Sequence, residues 1–297
     1  MISPVHDPFV SGGSAFTRER DRRIAEILQG VLLRSHPRET LCGLSVETFY
    51  EAAMDEASVG GDSVDAFPLT GSRIALTVAD ASGKGLAATE RIAEVRFALR
   101  AFLREHDDPR HALSCLNDFA CAARSLGRRD VGTFVTLTLV VLDSLTGEIT
   151  CLCAGGEPPL LLRIGGTNRA VSVLGPALGL CPGLCYETAT EQLEPGDAVL
   201  LATDGITEAR HFLPGDPPGS RGSSFLGMEG LARIARRREP SGPDKRMSLY
   251  ERGLRIVEDA RAFAGGTFHD DACLLIARLE SPDHGRALLR NVTEMKG

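Results

Sequence analysis

Two aspartates, Asp62 and Asp80, stand at the two ends of a predicted hairpin. Asp62 follows a Gly-Gly pair, where a backbone without Cβ atoms can turn sharply and approach a ligand. Asp80 ends an apolar run from Arg73 to Ala79 that is typical of a strand, and a Gly-rich turn follows it. Because a hairpin folds such residues back towards each other, both carboxylates can point at one spot. Carboxylate oxygens are the ligands that Mg²⁺ and Mn²⁺ prefer, so the pattern predicts a metal site there.

Four segments, taken in order along the chain, resemble the signatures of one enzyme family. They are VGGD at 59–62, DASGKG at 80–85, LLATDGITEAR at 200–210 and HDDACLLIARL at 269–279. Their order and spacing are similar to those of the bacterial metal-dependent serine/threonine phosphatases of the SpoIIE/RsbU type, within the PPM (PP2C-like) superfamily. The resemblance covers the chain from Leu44 to Leu279.

The resemblance implies a metal centre built from oxygen ligands at strand ends and turns. The implied ligands are Asp62, Asp80, the backbone carbonyl of Ala81, Asp204, Asp270 and, as a neighbouring or alternative ligand, Asp271. The four aspartates other than Asp271 are also the implied catalytic residues. A single Asp beside Gly at a strand end is common turn chemistry, and only the four together in family order favour metal binding. For Asp65 the sequence favours a role in stabilising the turn after the Gly-Gly pair.

The activity that the resemblance implies is hydrolysis of phosphoserine or phosphothreonine in a protein. Two Mn²⁺ or Mg²⁺ ions would activate the attacking water, and no phosphoenzyme would form. The implied substrate is a phosphorylated anti-sigma-factor antagonist in a partner-switching pathway. Two alternatives stay open: a catalytically weak domain that keeps the fold to bind a regulatory partner, and a generic phosphomonoesterase.

The chain departs from the family pattern at several places around this centre. Gly156 and Glu157 replace a His-Pro pair that is common in the family, and Cys273 stands where Thr is usual. None of these changes removes an implied metal ligand, so they bear on substrate recognition more than on catalysis. His269, next to Asp270, is a conceivable proton donor, although an exposed loop histidine is the simpler interpretation.

Composition excludes several other classes of protein. A formal net charge of -7 argues against a nucleic-acid partner, because phosphate binding needs a basic surface. The N-terminus has no secretory signal pattern and no apolar run is long enough to span a bilayer, which predicts a cytoplasmic protein. The eight cysteines include no C-x-x-C pair, so buried reduced thiols are expected rather than disulfides or a zinc site.

The elements that must position the aspartates predict an α+β protein. Hairpins dominate residues 133–203, and helical periodicity occurs in two pairs of segments, Gly85–Glu105 with Pro109–Leu126 and Leu226–Arg237 with Met247–Ala264. Grouped strands and paired helices favour antiparallel sheets. The resemblance narrows this to a PP2C-like four-layer αββα sandwich, with two antiparallel sheets flanked by helices.

The predicted organisation has one catalytic domain between shorter end segments. Residues 1–14 are expected to form a flexible arm, 15–41 an amphipathic helix and linker, 42–280 the phosphatase domain, and 281–297 a tail. The helix at 15–33 has apolar positions at helical spacing among many charges, which suits packing on its own domain or a homodimer contact.

Overall fold

A computed structural model describes residues 41, 43–51, 61–83, 85–126, 134–165, 167–211, 224–236 and 247–281. The predicted arm at 1–14, the helix at 15–33 and the tail beyond residue 281 lie outside the described residues. None of the helices in the described ranges is long and apolar enough to cross a membrane.

Two antiparallel sheets form the centre of the molecule. The first sheet has the strand order β2 (Asp62–Pro68), β3 (Arg73–Ala81), β4 (Val135–Asp143), β5 (Glu148–Ala154) and β8 (Ala189–Gln192). The second sheet has the order β1 (Leu44–Glu51), β12 (Ala272–Leu279), β9 (Ala198–Ala202), β6 (Leu160–Leu162) and β7 (Arg169–Ala170). A separate pair, β10 (Arg210–His211) and β11 (Ser224–Phe225), lies outside both sheets.

Helices cover the outer face of each sheet. The helices are α1 (Leu86–Glu105), α2 (Pro109–Leu126), the one-turn α3 (Asp204–Thr207), α4 (Gly227–Ala235) and α5 (Leu249–Phe263). The apolar cluster of α1 and α2 includes the outer face of the first sheet, and that of α4 and α5 includes the outer face of the second. A third cluster fills the space between the sheets. The predicted four-layer αββα sandwich is confirmed.

The period of two along β3 explains the layering. Ile74, Leu76 and Val78 enter the cluster between the sheets, whereas Ala75 and Ala79 enter the cluster under α1 and α2. Successive side chains of a strand point to opposite faces, so one strand serves two apolar layers. The small alanines on the helix side leave room for the larger side chains of α1 and α2.

The segment between β7 and β8 is less regular than predicted. Hairpins were predicted throughout 133–203, but only two residues form β7, and in the described residues 171–188 no further strand forms before β8 begins at Ala189. Pro176, Pro182 and several glycines interrupt the ladder, and isolated bonds hold the segment instead, including the pair between Val135 and Leu178.

Two cysteines in this segment are exposed, so the prediction of buried thiols is wrong for them. Cys181 and Cys185 are exposed because they lie in this irregular stretch, and Cys115 is partly exposed. Cys121, Cys151, Cys153 and Cys273 are buried, as expected, and all seven cysteines of the described ranges are free thiols.

Candidate metal centre

The β2–β3 hairpin brings the first two predicted ligands face to face. Asp62 pairs directly with Asp80 in the antiparallel register, at the open end of the hairpin. The two carboxyl groups interact with each other, and Asp62 is only 3% exposed. Two buried carboxylates that face each other repel, so ionising both without a cation is unfavourable.

Gly61 keeps the approach to Asp80 and Ala81 open. A Cβ atom at position 61 would lie 2.8 Å from the Ala81 carbonyl oxygen and 3.1 Å from Oδ1 of Asp80. The backbone N–H of Ala81 donates to the carbonyl of Gly61 at 3.1 Å, which holds the two chain segments together. A side chain here would therefore cover two of the predicted ligand atoms, and this is the physical need for glycine before Asp62.

The other aspartates lie at the ends of two neighbouring strands of the second sheet, β9 and β12. Asp204 follows β9 as the first residue of α3, and Asp270 and Asp271 directly precede β12. The turn at Gly205 packs so tightly that a Cβ atom there would overlap the carbonyl of Asp271. These two strand ends are thereby locked side by side, at the edge where Asp62 and Asp80 arrive from the first sheet.

Thr203 connects the two sheets at the centre. Its hydroxyl donates to Oδ2 of Asp62 at 2.7 Å and accepts from the backbone N–H of Cys273 at 3.0 Å. Both the donor and the acceptor capacity of the hydroxyl are thus used, and Asp62 is fixed in orientation by a residue 141 positions away in the chain. This role of Thr203 was not predicted from the sequence, although Thr203 lies inside the segment that carries Asp204.

The electrostatics of the centre show an excess of negative charge. Burial first, and then the charge of Asp80, raise the pKa of Asp62 well above its ordinary value. Burial also raises the pKa of Asp80, with further contributions from Asp270 and Asp271. For Asp204, burial followed by repulsion from Asp80 and Glu208 raises the pKa to about 6, although its carboxylate stays accessible to water, which screens part of this repulsion.

Two of the remaining residues near the centre have different surroundings. Asp271 accepts a hydrogen bond from the Tyr50 hydroxyl at 3.1 Å, and its backbone N–H donates to Asp270 at 3.0 Å. The structure therefore places it next to Asp270, with its carboxylate held by Tyr50. His269 is exposed next to Asp270, in keeping with the simpler interpretation of that histidine.

Asp65 has a different role from the predicted one. It does not stabilise the turn; it lies within β2, and its buried carboxylate accepts hydrogen bonds from Arg96 and Arg100 of α1. Because side chains alternate along a strand, residues three apart face opposite sides of the sheet. Asp62 faces the second sheet, whereas Asp65 faces the helices, which separates it from the metal centre.

A cavity of about 160 Å³ opens beside Asp204. Glu157 and Glu208 line it together with Thr136 and Thr138, and Oε1 of Glu157 accepts a hydrogen bond from the Thr207 hydroxyl at 2.9 Å. A Cβ atom on Gly156 would lie 2.5 Å from Oγ1 of Thr138, so this backbone has no space for the histidine common in relatives. The departure at 156–157 therefore exchanges an imidazole for a carboxylate at the rim of the centre.

The donor set fits hard divalent cations. Every candidate ligand is a carboxylate or carbonyl oxygen, and the carboxylates repel one another in the absence of a cation. A larger groove, of about 950 Å³, lies between the second sheet and α5, and none of the predicted ligands lines it.

Comparison with known proteins identifies the family. The family described as Stage II sporulation protein E (SpoIIE) matches residues 70–280. The chain belongs to this family, and its two antiparallel sheets flanked by helices form a PP2C-type fold. It is similar to protein IcfG of Synechocystis sp. (28% identity over 52% of this chain and 28% of IcfG) and to phosphoserine phosphatase RsbU of Bacillus subtilis (26% identity over 62% and 55%). The chain thus spans about half or less of the length of these relatives.

Solved structures share the fold. The RsbU and RsbW domains of Rv1364c from Mycobacterium tuberculosis match 82% of this chain and 62% of theirs, with a TM-score of 0.64 and 25% identity. The SiaA-PP2C domain of Pseudomonas aeruginosa matches 90% and 99%, with a TM-score of 0.67 and 18% identity. The catalytic domain of phosphatase PstP, in complex with two manganese ions, matches 80% and 99%, with a TM-score of 0.57 and 18% identity.

Proposed function

We propose that this chain removes phosphate from phosphoserine or phosphothreonine of a partner protein, at a centre that holds two Mg²⁺ or Mn²⁺ ions. The observation that carries the proposal is the convergence of Asp62 and Asp80 from one sheet with Asp204 and Asp270 from the other. The Ala81 carbonyl completes the ligand set, and Asp271 supports it from the side. The two manganese ions of PstP and the name of RsbU support the same assignment.

The chain's own residues supply a fixed frame for the reaction. When bound, the ions would acidify a water molecule and neutralise phosphoryl charge. Thr203 holds the Asp62 carboxylate in one orientation, and Gly61 leaves the Ala81 carbonyl uncovered. The tight contact at Gly205 fixes Asp204 relative to Asp271. A frame held in this way needs little rearrangement during the reaction, which is the main protein contribution to electrostatic catalysis.

The substrate in this proposal is a phosphorylated anti-sigma-factor antagonist, and the pathway is partner switching. The similarity to RsbU and to a protein that joins RsbU and RsbW domains supports this choice. In this proposal residues 42–280 are the phosphatase domain, and the amphipathic sequence pattern at 15–33, outside the described residues, is the candidate for a homodimer contact.

The test is phosphate release by the purified chain after chelation and again after Mn²⁺ or Mg²⁺ is restored. We expect activity on a phosphoserine protein substrate and on p-nitrophenyl phosphate to return only with the metal. Activity on p-nitrophenyl phosphate but on none of a panel of phosphoproteins would favour the generic phosphomonoesterase. A folded protein that binds Mn²⁺ and turns over neither substrate would favour the binding module.

Replacing Thr203 by valine is expected to weaken Mn²⁺ binding about 10- to 100-fold, as measured by titration calorimetry. The substitution preserves shape but removes the donor to Asp62 and the acceptor for Cys273. The Thr203→Ser variant keeps the hydroxyl and serves as the control, with affinity close to that of the parent chain. Equal affinities in the valine and serine variants would show that the hydroxyl does not orient the ligand.

The stabilising effect of Mg²⁺ is expected to grow with pH. Without a cation, the raised pKa values of Asp62, Asp80 and Asp204 mean that the folded chain holds more protons than the unfolded one between about pH 4 and pH 6. The stability that these groups contribute is therefore present below about pH 4 and lost as pH rises through this window. A bound cation removes the repulsion, and its affinity rises as protons leave.

Thermal unfolding with chelator and with Mg²⁺ at about pH 5 and about pH 7.5 measures this effect. The metal-induced rise in melting temperature should be clearly larger at the higher pH, and the Asp204→Asn variant should show a reduced difference. A metal-induced shift that is the same at both pH values would contradict the assignment of these carboxylates to the metal centre.

A further inference from the structure

A second group of metal-ligating side chains lies at the corner between α1 and α2. His106 follows the last residue of α1, and His111 and Cys115 lie on the first half of α2. The ligand atoms of the three residues all lie within 4.8 Å of one another. Residues four apart on a helix share a face, so His111 and Cys115 are held side by side by the helix itself.

The two sulfur–nitrogen distances in this group are close to those of a tetrahedral metal site. Sγ of Cys115 is 3.9 Å from Nε2 of His106 and 3.7 Å from Nε2 of His111. A Zn²⁺ ion with bonds of about 2.3 Å to sulfur and about 2.0 to 2.1 Å to nitrogen would place sulfur and nitrogen ligands about 3.6 Å apart. Each of the two sulfur–nitrogen distances would therefore need to shorten by only a few tenths of an ångström for both nitrogens and the sulfur to reach one ion.

The rings are also held in place. The His106 ring stacks on the Phe102 ring with an interplanar angle of 14°. The His111 ring stands edge-on to the His106 ring, with 4.5 Å between the two ring centroids. Phe102 in turn packs against the apolar cluster under the two helices. His111 is exposed and the other two ligands are partly exposed, which gives an ion a path from solvent.

We propose that His106, His111 and Cys115 bind one zinc-class divalent ion, with a fourth position left for water or another ligand. Imidazole and thiolate favour such an ion, whereas the all-oxygen aspartate centre favours Mg²⁺ or Mn²⁺. The two sites are separate, because α1 starts near the aspartate centre and its 20 residues extend about 30 Å to His106. An ion here would tie the end of α1 to the start of α2.

Cysteine spacing alone does not indicate this site. The chain has no C-x-x-C pair, and here one cysteine joins two histidines in a H-x₄-H-x₃-C arrangement. The single signal available was the i, i+4 pair of His111 and Cys115, and the contribution of His106 depends on how tightly the chain turns between the helices.

Cobalt titration of the full chain in excess Mg²⁺ tests the proposal. Mg²⁺ occupies the oxygen site and does not compete for thiolate, so Co²⁺ should report the His-Cys site by a thiolate-to-cobalt charge-transfer band and by the visible bands of four-coordinate cobalt. Addition of Zn²⁺ should abolish both. The readout is spectroscopic and does not depend on phosphatase activity, so its failure would leave the proposed function untouched.

Substitutions assign the bands to these residues. Cys115→Ser should remove the charge-transfer band and weaken Co²⁺ binding on the order of a hundredfold, and His111→Ala should weaken it comparably. Cys185→Ser, which removes an exposed thiol elsewhere, is the matched control and should bind as the parent does. A folded parent chain without the band, or a Cys115→Ser variant that keeps it, would mean that the three side chains form only a hydrogen-bonded cluster.

Discussion

Asp80→Asn is expected to lower phosphatase turnover by about three orders of magnitude or more while leaving the metal-free fold intact. Asp80 lies opposite Asp62 in the hairpin and interacts electrostatically with Asp270 and Asp271. An amide in its place keeps the shape but removes one ligand charge from the centre. Since two-metal sites supply both the nucleophile and charge neutralisation for phosphate hydrolysis, losing a ligand to the ions would weaken both.

The metal-free variant should be at least as stable as the parent at neutral pH. In the parent, Asp62 and Asp80 repel each other, and burial raises the pKa of both. The introduced asparagine side chain carries no charge and can donate a hydrogen bond to the Asp62 carboxylate, so the substitution relieves repulsion. Loss of activity together with unchanged or higher thermal stability would separate a chemical role from a structural one.

The experiment compares turnover and thermal unfolding, each with and without Mn²⁺. Asp107→Asn is the matched control, because its side chain is 96% exposed and lies outside the centre. The control should keep parent activity and the parent's metal-induced stabilisation, and Asp80→Asn should lose both. Turnover retained in Asp80→Asn at saturating Mn²⁺ would remove Asp80 from the ligand set.

Local pattern predicted the parts of the fold that depend on neighbours in sequence. The bounds of α1 and α2 agree with the predicted segments Gly85–Glu105 and Pro109–Leu126, because periodicity and turn residues define them within a few positions. The pairing of Asp62 with Asp80 followed from the same logic, since a hairpin joins residues that are close in the chain. The four-layer arrangement required the family resemblance, because sheet order depends on distant strands.

Contacts between distant residues could not be predicted in this way. Thr203 reaches Asp62 across 141 positions, and no local property of a Thr-Asp-Gly segment indicates that contact. Asp65 was assigned to a turn because it follows two glycines, whereas its alternation in β2 turns it towards α1. Such assignments require the register of the strand and the position of the helix, which only the folded chain supplies.

Asp65→Ala is expected to destabilise the fold by about 3–5 kcal/mol, through the loss of a buried ion pair. The Asp65 side chain is 1% exposed and lies 3.0 Å from Nε of Arg96 and 2.7 Å from Nη2 of Arg100. Burial alone raises the pKa of Asp65, but the hydrogen bonds from Arg100 and Arg96 outweigh it and lower the pKa. Removing the carboxylate leaves the 7% exposed Arg96 guanidinium without this partner.

Chemical denaturation at neutral pH measures this change, with Glu51→Ala as the control. Glu51 pairs with Arg261 at 3.3 Å, with exposed fractions of 31% and 41%, so its loss should cost less than about 1 kcal/mol. The contribution of Asp65 to the free energy of unfolding is present above the pKa of Asp65 in the unfolded chain and is lost as pH falls through its lowered pKa in the folded chain. The difference in stability between the parent and Asp65→Ala should therefore narrow only in strong acid.

A variant without the charges of Asp65, Arg96 and Arg100 distinguishes the cost of leaving buried guanidinium groups unpaired from the cost of losing side-chain packing. The triple variant Asp65→Val, Arg96→Met, Arg100→Met keeps apolar volume and leaves no guanidinium behind, so it should recover much of the stability that Asp65→Ala loses. A triple variant as unstable as Asp65→Ala would instead indicate that packing between β2 and α1, rather than an uncompensated charge, sets the cost. A cost below about 1 kcal/mol for Asp65→Ala would mean that water solvates the two arginines and that this ion pair does not fix α1 on the sheet.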